Sequence, residues 1–214
     1  MGNTLPEILT FNAKFSIMGK TFIENHNILL GKIVNEGYDI IAIQECTQSF
    51  RDKASKQEGY NTCYFHGNLI MSKWDLKEIV KHKNYIICET QYNNVNINIC
   101  SVHLPSTCKK SEKRLNLFDS LMNDINQSNS IIMGDFNMSS DEYAQLCRKY
   151  PGLLMSTELN TYGNQFPYDR IILNGKNIKF INSVYASDMK TRSDHLALST
   201  SISIENNAQG CYIM

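Results

Sequence analysis

Short apolar runs recur along this chain, and most of them stop at a polar residue capable of chemistry. Ile8-Leu9-Thr10-Phe11 ends in Asn12, Ile40-Ile41-Ala42-Ile43 in Gln44-Glu45, Ile99 to Val102 in His103, and Ile131 to Met133 in Gly134-Asp135-Phe136-Asn137. These runs have the length of strands rather than helices. A run that is apolar at every position needs cover on both faces, so such segments fold only inside a layered structure. If their ends meet, carboxylates, amides and an imidazole converge on one rim.

The rest of the chain fits the same plan. Tyr60 to Phe65, Leu69 to Met71, Tyr85 to Gln91 and Val95 to Val102 read as successive strands, and the alternation in Val95-Asn96-Ile97-Asn98-Ile99 predicts one wet face. Phe22, Ile23, His26, Leu29, Leu30 and Ile33 recur at helical spacing before Gly37. Leu115, Phe118, Leu121, Met122 and Ile125 line one side of a second helix, from Ser111 to Asn126, and a further helix is expected near Asp141 to Tyr150. Strands follow around Arg170 to Leu173, Ile178 to Ser183 and His195 to Ile204. Many closely linked strands with few helices predict an α/β (α+β) fold: a four-layer αββα sandwich of two mostly antiparallel sheets with helices outside. No repeat or Pro/Gly/Ser-rich linker divides the chain, so one domain is expected over 1–204, with a flexible tail over 205–214.

The 214 residues suffice for a full core without covalent staples. Basic and acidic side chains balance at 21 each, giving zero formal net charge. A protein that coats long nucleic acid carries a basic surplus, so extensive backbone binding is disfavoured. A small phosphate ester, or a nucleic-acid end gripped by a few residues, stays open. The seven Cys are scattered singly with no CxxC, and no Cys/His group has zinc spacing. Reduced thiols in an intracellular, cytoplasmic setting are expected, without zinc. No apolar N-terminal stretch reads as a secretory signal, and no run approaches membrane-spanning length.

The polar strand ends suit phosphate-ester hydrolysis. Mg²⁺, with Mn²⁺ as the alternative, takes oxygen ligands and keeps several waters, so Glu45 helped by Asn12 can hold it. The ion neutralises charge growing on phosphate and leaving group. A second carboxylate must orient and deprotonate water, for which Asp135 is the choice. An imidazolium held by a carboxylate stabilises the transition state, which suits His195 in Ser193-Asp194-His195. Asn137 donates to a phosphate oxygen without adding charge. Each residue alone also has a plain structural reading, as a strand end, a turn residue or a core histidine; their joint order carries the inference.

In that order the segments resemble the endonuclease/exonuclease/phosphatase superfamily: Thr10-Phe11-Asn12, Ile43-Gln44-Glu45, Ser101-Val102-His103-Leu104, Gly134-Asp135-Phe136-Asn137, Tyr168-Asp169-Arg170-Ile171 and Ser193-Asp194-His195. The resemblance implies Glu45 as principal metal ligand with Asn12 and Asp194 near the ion, Asp135 activating water, Asn137 holding phosphate, His195 on the scissile phosphate oriented by Asp169, and His103 as a second phosphate contact. Within the superfamily the chain is most similar to the 5′-tyrosyl-DNA phosphodiesterases, through His103-Leu104-Pro105-Ser106-Thr107, the later Arg114, and Thr161 before an aromatic residue. That implies Ser106, Thr107, Thr161 and Arg114 as substrate contacts, with Lys109-Lys110 and Arg114 meeting the phosphate backbone of a nucleic-acid end. Thr161 is followed by Tyr162-Gly163, where that family carries Trp-Asp, so the substrate is less fixed than the chemistry. A phosphoinositide or a signalling nucleotide is the alternative substrate, and a binding module without turnover is the third reading.

Cys211-Tyr212-Ile213-Met214 fits a prenylation box, with Met last favouring farnesyl, after a polar stretch Glu205 to Gly210. Cys211 is the expected lipidation site. One prenyl chain anchors only marginally and no polybasic run precedes it, so membrane association would be reversible. Gly2 does not complete a myristoylation motif, because position six is Pro6. A monomer is expected, and a nuclear location stays open.

Overall fold

The computed structural model describes residues 5–14, 22–107, 110–126, 128–163, 165–189, 191 and 193–206, with residues 22–24 described in backbone only. Lys109 and residues 207–214 of the tail, with Cys211, lie outside the described residues. In chain order the elements are β1 (Glu7–Asn12), α1 (Phe22–Glu36), β2 (Ile40–Gln44), α2 (Gln48–Ala54), β3 (Asn61–Phe65), β4 (Asn68–Ser72), β5 (Lys77–His82), β6 (Tyr85–Tyr92) and β7 (Val95–His103). Then follow α3 (Ser111–Ile125), β8 (Ser130–Asp135), α4 (Ser140–Lys149), β9 (Leu154–Met155), β10 (Asp169–Asn174), β11 (Ile178–Phe180), β12 (Tyr185–Ser187) and β13 (Ala197–Ile204).

The strands form two sheets. One runs β11-β13-β1-β2-β4-β3, with β12 against β13; the other runs β5-β6-β7-β8-β10-β9. Among the paired strands only β1 with β2 and β7 with β8 are parallel. All five residues of β2 are buried, because both faces are covered. Ile40 and Ala42 join the inter-sheet core with Ile8, Ile70, Ile97, Ile99, Ile131 and Met133. Ile41 and Ile43 face the other way, with Leu9 and Phe11, onto Leu29 and Ile33 of α1 and Phe50 of α2. A third cluster joins Ile87, Cys100 and Ile132 to Phe118 and Leu121 of α3 and Leu146 of α4. Three apolar layers between four structural layers are the expected αββα sandwich.

Register places the chemistry. In each parallel pair the polar ends are direct neighbours: Asn12 with Gln44, and His103 with Asp135. The antiparallel β10 starts where β8 ends, so Asp169 pairs with Asp135. Gly134 permits this alignment. Its φ is +151°, and a Cβ there would lie 2.0 Å from the Val102 carbonyl oxygen.

Some expectations need correction. The wet face of β7 is confined to Asn96, because Asn98 is buried and its amide reaches the Ile125 carbonyl at the end of α3. The strand beginning at Ile178 stops at Phe180, and the last strand starts at Ala197 rather than His195. The short helix α2 and the strands β5, β9 and β12 lack a periodic apolar signal and were not expected. The described cysteines Cys46, Cys63, Cys88, Cys100 and Cys147 are free thiols. No helix among the described residues is long and apolar enough to cross a membrane.

Candidate active site

A cavity of about 370 Å³ opens at the rim where the polar strand ends meet, lined by Lys14, Glu45, His103, Ser106, Asp135, Asn137, Tyr162, Tyr168 and His195. Asp135 lies at its floor, 2% exposed. Its Oδ1 accepts from the backbone N–H of Asn137 at 2.9 Å and its Oδ2 from Asn12 Nδ2 at 2.9 Å. Asn137 reaches back this way because it adopts a left-handed backbone, φ 51°, which asparagine tolerates. Its own Nδ2 donates to the Leu104 carbonyl.

His195 faces Asp135 across the floor, with Nε2 3.9 Å from Asp135 Oδ2. On its other side Nδ1 lies 2.8 Å from Asp169 Oδ2, and both side chains are buried. Burial pulls the His195 pKa down, but the Asp169 hydrogen bond and charge, helped by Asp135 and Asp194, overcome this and raise it to about 9. At neutral pH the ring is therefore an imidazolium and a donor. The pKa of Asp135 is raised as well. Burial, then the Asp169 charge, raises its pKa above the ordinary range, against the opposing pull of both histidines and Asn12. A carboxylate and an imidazole, both with raised pKa, thus face each other across the floor.

His103 Nε2 stands 3.9 Å from Glu45 Oε1 and 3.9 Å from Asp135 Oδ2. Glu45, on a left-handed backbone (φ 49°) just beyond β2, turns its carboxylate into the cavity, where Oε1 accepts from Asn12 Nδ2 at 3.2 Å. Asn12 thus bridges Glu45 and Asp135 through one amide nitrogen, while its oxygen accepts from the Lys14 backbone N–H. It fixes the two carboxylates and does not present its oxygen to the cavity. Glu45 itself suits a hard divalent cation: a partly exposed carboxylate oxygen donor that lines the cavity. Asp135, Asp169 and His195 also bring ligand atoms within 4.8 Å of one another, but the short His195–Asp169 hydrogen bond occupies that pair.

Beneath the site a buried polar chain ties the sheets together. Thr10 Oγ1 donates to Gln44 Oε1, Gln44 Nε2 to Ser101 Oγ, and Ser101 Oγ to Asn68 Oδ1. At the rim, Ser193 Oγ donates to the Asn12 carbonyl and accepts from the His195 N–H, tying the His195 segment to β1.

Two expected substrate contacts are structural instead. Arg114 is 3% exposed; its guanidinium forms a bidentate pair with Glu142 Oε1 and Oε2 and donates to the Pro105 and Thr107 carbonyls. It braces the 105–107 loop, its charge is paired with Glu142, and it lines a neighbouring cavity with Ser106, Asn137 and Tyr168. Thr161 is fully buried, and its hydroxyl accepts from the Asp169 N–H. Ser106 lines the cavity, whereas Thr107 is exposed outside its lining. Asp194 sits at the edge, paired with Lys14.

Sequence reading gave no site role to Lys14, Tyr162 or Phe166. Tyr162 stacks on Tyr168 with centroids 5.5 Å apart, Phe166 on Tyr168 at 5.3 Å, and Tyr162 meets the His195 ring at 4.9 Å. This aromatic wall runs from His195 to solvent, where Phe166 is 45% exposed. A small hairpin holds it, in which Tyr162 bridges to both Phe166 and His195. Aromatic residues spread over a loop carry no periodicity that would have announced it.

The sequence matches the Endonuclease/Exonuclease/phosphatase family over residues 9–195, and the chain belongs to that family. Its members are divalent-metal-dependent hydrolases of phosphate esters. No curated protein matches the sequence significantly. Among solved structures the fold is similar to D. rerio TDP2 complexed with single-strand DNA product, with TM-score 0.78 and 14% identity over 94% of this chain and 100% of that one. A D. rerio TDP2 humanized by 14 mutations gives TM-score 0.78 and 16% identity over 92% and 98%. The human nocturnin catalytic domain with bound sulfate gives 0.74 and 16% over 94% of each.

Proposed function

We propose that this chain is a Mg²⁺-dependent phosphodiesterase, accepting Mn²⁺, that cleaves a 5′-phosphotyrosyl or similar aryl ester at a nucleic-acid end. The observation that carries this reading is the facing of Asp135 and the His195–Asp169 pair across one cavity that Glu45 also lines. The bound ion supplies electrostatic stabilisation of charge developing on the phosphate, and Glu45 is the residue to hold it. Asp135 accepts a proton from the attacking water; its raised pKa makes it a better base than an ordinary carboxylate at neutral pH. His195, kept protonated by Asp169, donates a charge-assisted hydrogen bond to a phosphate oxygen. His103, on the far side of Asp135 Oδ2, is the second phosphate contact, and Asn12 keeps both carboxylates in place. Asn137 holds the Asp135 loop by its backbone and lines the cavity beside the phosphate.

Three features support a nucleic-acid end as substrate. Zero net charge suits a grip on a terminus better than on a long backbone. The aromatic wall of Tyr162, Phe166 and Tyr168 suits a planar base or phenol ring. The similar D. rerio TDP2, named for a tyrosyl-DNA phosphodiesterase, was solved with a single-strand DNA product. The test is cleavage of a 5′-phosphotyrosyl oligonucleotide, run beside phosphoinositides and cyclic dinucleotides. Release of tyrosine from the oligonucleotide is the expected result. Selective turnover of either competitor replaces the substrate and keeps the chemistry.

A further inference from the structure

Lys14 lines the same cavity as Glu45, Asp135 and His195, and no role in the chemistry above uses it. It follows Asn12 closely and takes a left-handed backbone, φ 51°, with its N–H donating 3.0 Å to Asn12 Oδ1. That turn sends the side chain across the rim, where the ammonium pairs with Asp194 Oδ2 and lies 6.0 Å from the Tyr162 ring centroid. The other Asp194 oxygen stands 4.0 Å from His195 Nε2. Asp194 is therefore held by Lys14 through one oxygen and faces the His195 ring with the other.

A carboxylate in that position is a poor seat for a divalent ion, since the ion would crowd an ammonium of like sign. The ammonium itself is well placed for an anion. It has three donors, of which Asp194 takes one, and its side chain is 26% exposed on the cavity side of the rim. Glu45 accepts from the uncharged Asn12 amide and acts on the Lys14 ammonium more weakly than Asp194 does.

We propose that Lys14 is a substrate-binding residue whose ammonium contacts the non-bridging phosphate oxygens on the Asp194 side of the cavity, with Asp194 as its anchor and the divalent ion left to Glu45. This rests on the reading of the cavity as a phosphate-ester site. It makes the enzyme a one-ion site in which a lysine adds its positive charge to those of the ion and His195.

Two binding measurements test it without relying on turnover. Mn²⁺ is counted by electron paramagnetic resonance, and inorganic phosphate is titrated calorimetrically into the Mn²⁺-loaded protein. Both are done for wild type, Lys14→Met, Lys14→Arg and Asp194→Asn, each checked for folding by circular dichroism. The expected wild type takes one Mn²⁺ per chain. Lys14→Met keeps that ion and weakens phosphate binding about tenfold or more, the scale of one lost charged contact. Lys14→Arg restores most of the affinity, and Asp194→Asn keeps the ion. Two Mn²⁺ in wild type, loss of the ion in Asp194→Asn, or unchanged phosphate affinity in Lys14→Met each overturns the inference while leaving the phosphate-ester site intact. If wild type binds neither Mn²⁺ nor phosphate, the reading of the cavity fails and the inference goes with it.

Discussion

His195 Nδ1 lies 2.8 Å from Asp169 Oδ2, and the two side chains are buried together beneath the aromatic wall. This contact sets the charge of the ring that faces Asp135. The His195 pKa stands at about 9, raised from 6.5, so the charged form persists through neutral pH. Catalysis that needs this donor should decline as pH rises through about 9. In Asp169→Asn the hydrogen bond to a charged partner is lost while burial remains, so the alkaline limb should move down by two pH units or more. A pH–rate profile of kcat/KM for both proteins checks this; an unmoved alkaline limb removes His195 from the chemistry.

The same contact links stability to pH. A histidine whose folded pKa is raised stabilises the fold fully below its unfolded value, near 6.5, and loses that contribution as pH climbs through the folded value, near 9. The contribution is at most about 3 kcal/mol. Thermal melts between pH 6 and 10 should show wild type losing stability across this window and His195→Gln losing markedly less.

Asp135→Asn removes the proposed base and keeps nearly the same shape. The chain should fold and the rate should drop by about 10²–10⁴-fold, the usual worth of a positioned general base. A variant with wild-type rate would mean that Asp135 is only a turn residue holding the Asn137 N–H.

Arg114 carries a stability prediction instead of a substrate one. Its bidentate pair with Glu142 is buried on both sides, with 4% and 7% of the side chains exposed. Arg114→Met leaves Glu142 buried with the Ser139 N–H but no charged partner, which should cost up to about 3–5 kcal/mol. Urea denaturation measures this. A loss below 1 kcal/mol would show that the guanidinium is dispensable to the fold.

Gly134 tests the close approach of β7 and β8. An added methyl meets the Val102 carbonyl at 2.0 Å on a backbone at φ +151°, so Gly134→Ala must push the paired strands apart one position before the His103–Asp135 pair. Activity should fall more than 100-fold even at temperatures where circular dichroism still reports folded protein, because about 1 Å of misplacement at reacting groups is expensive.

The layers and most of the site were legible in the sequence, for a physical reason. A strand buried on both faces is a continuous apolar run, and its end is visible where a polar residue breaks the run, as at Asn12, Glu45, His103 and Asp135. What the sequence does not show is which groups become partners. Arg114 looks like a free cation until Glu142, brought in by the N-terminal turn of α4, takes its guanidinium. Thr161 looks like a surface hydroxyl until the hairpin buries it on the Asp169 N–H. Lys14 gave no signal at all, because a single lysine after a strand is ordinary and only the return of Asp194 from the far end of the chain gives it a place.

The most direct test of the account is hydrolysis of a 5′-phosphotyrosyl oligonucleotide by wild-type protein in Mg²⁺, repeated after chelation and with Glu45→Gln. Turnover in Mg²⁺ that chelator abolishes and Glu45→Gln reduces by at least 100-fold is the predicted result. Equal turnover with and without chelator, or full activity in Glu45→Gln, contradicts it.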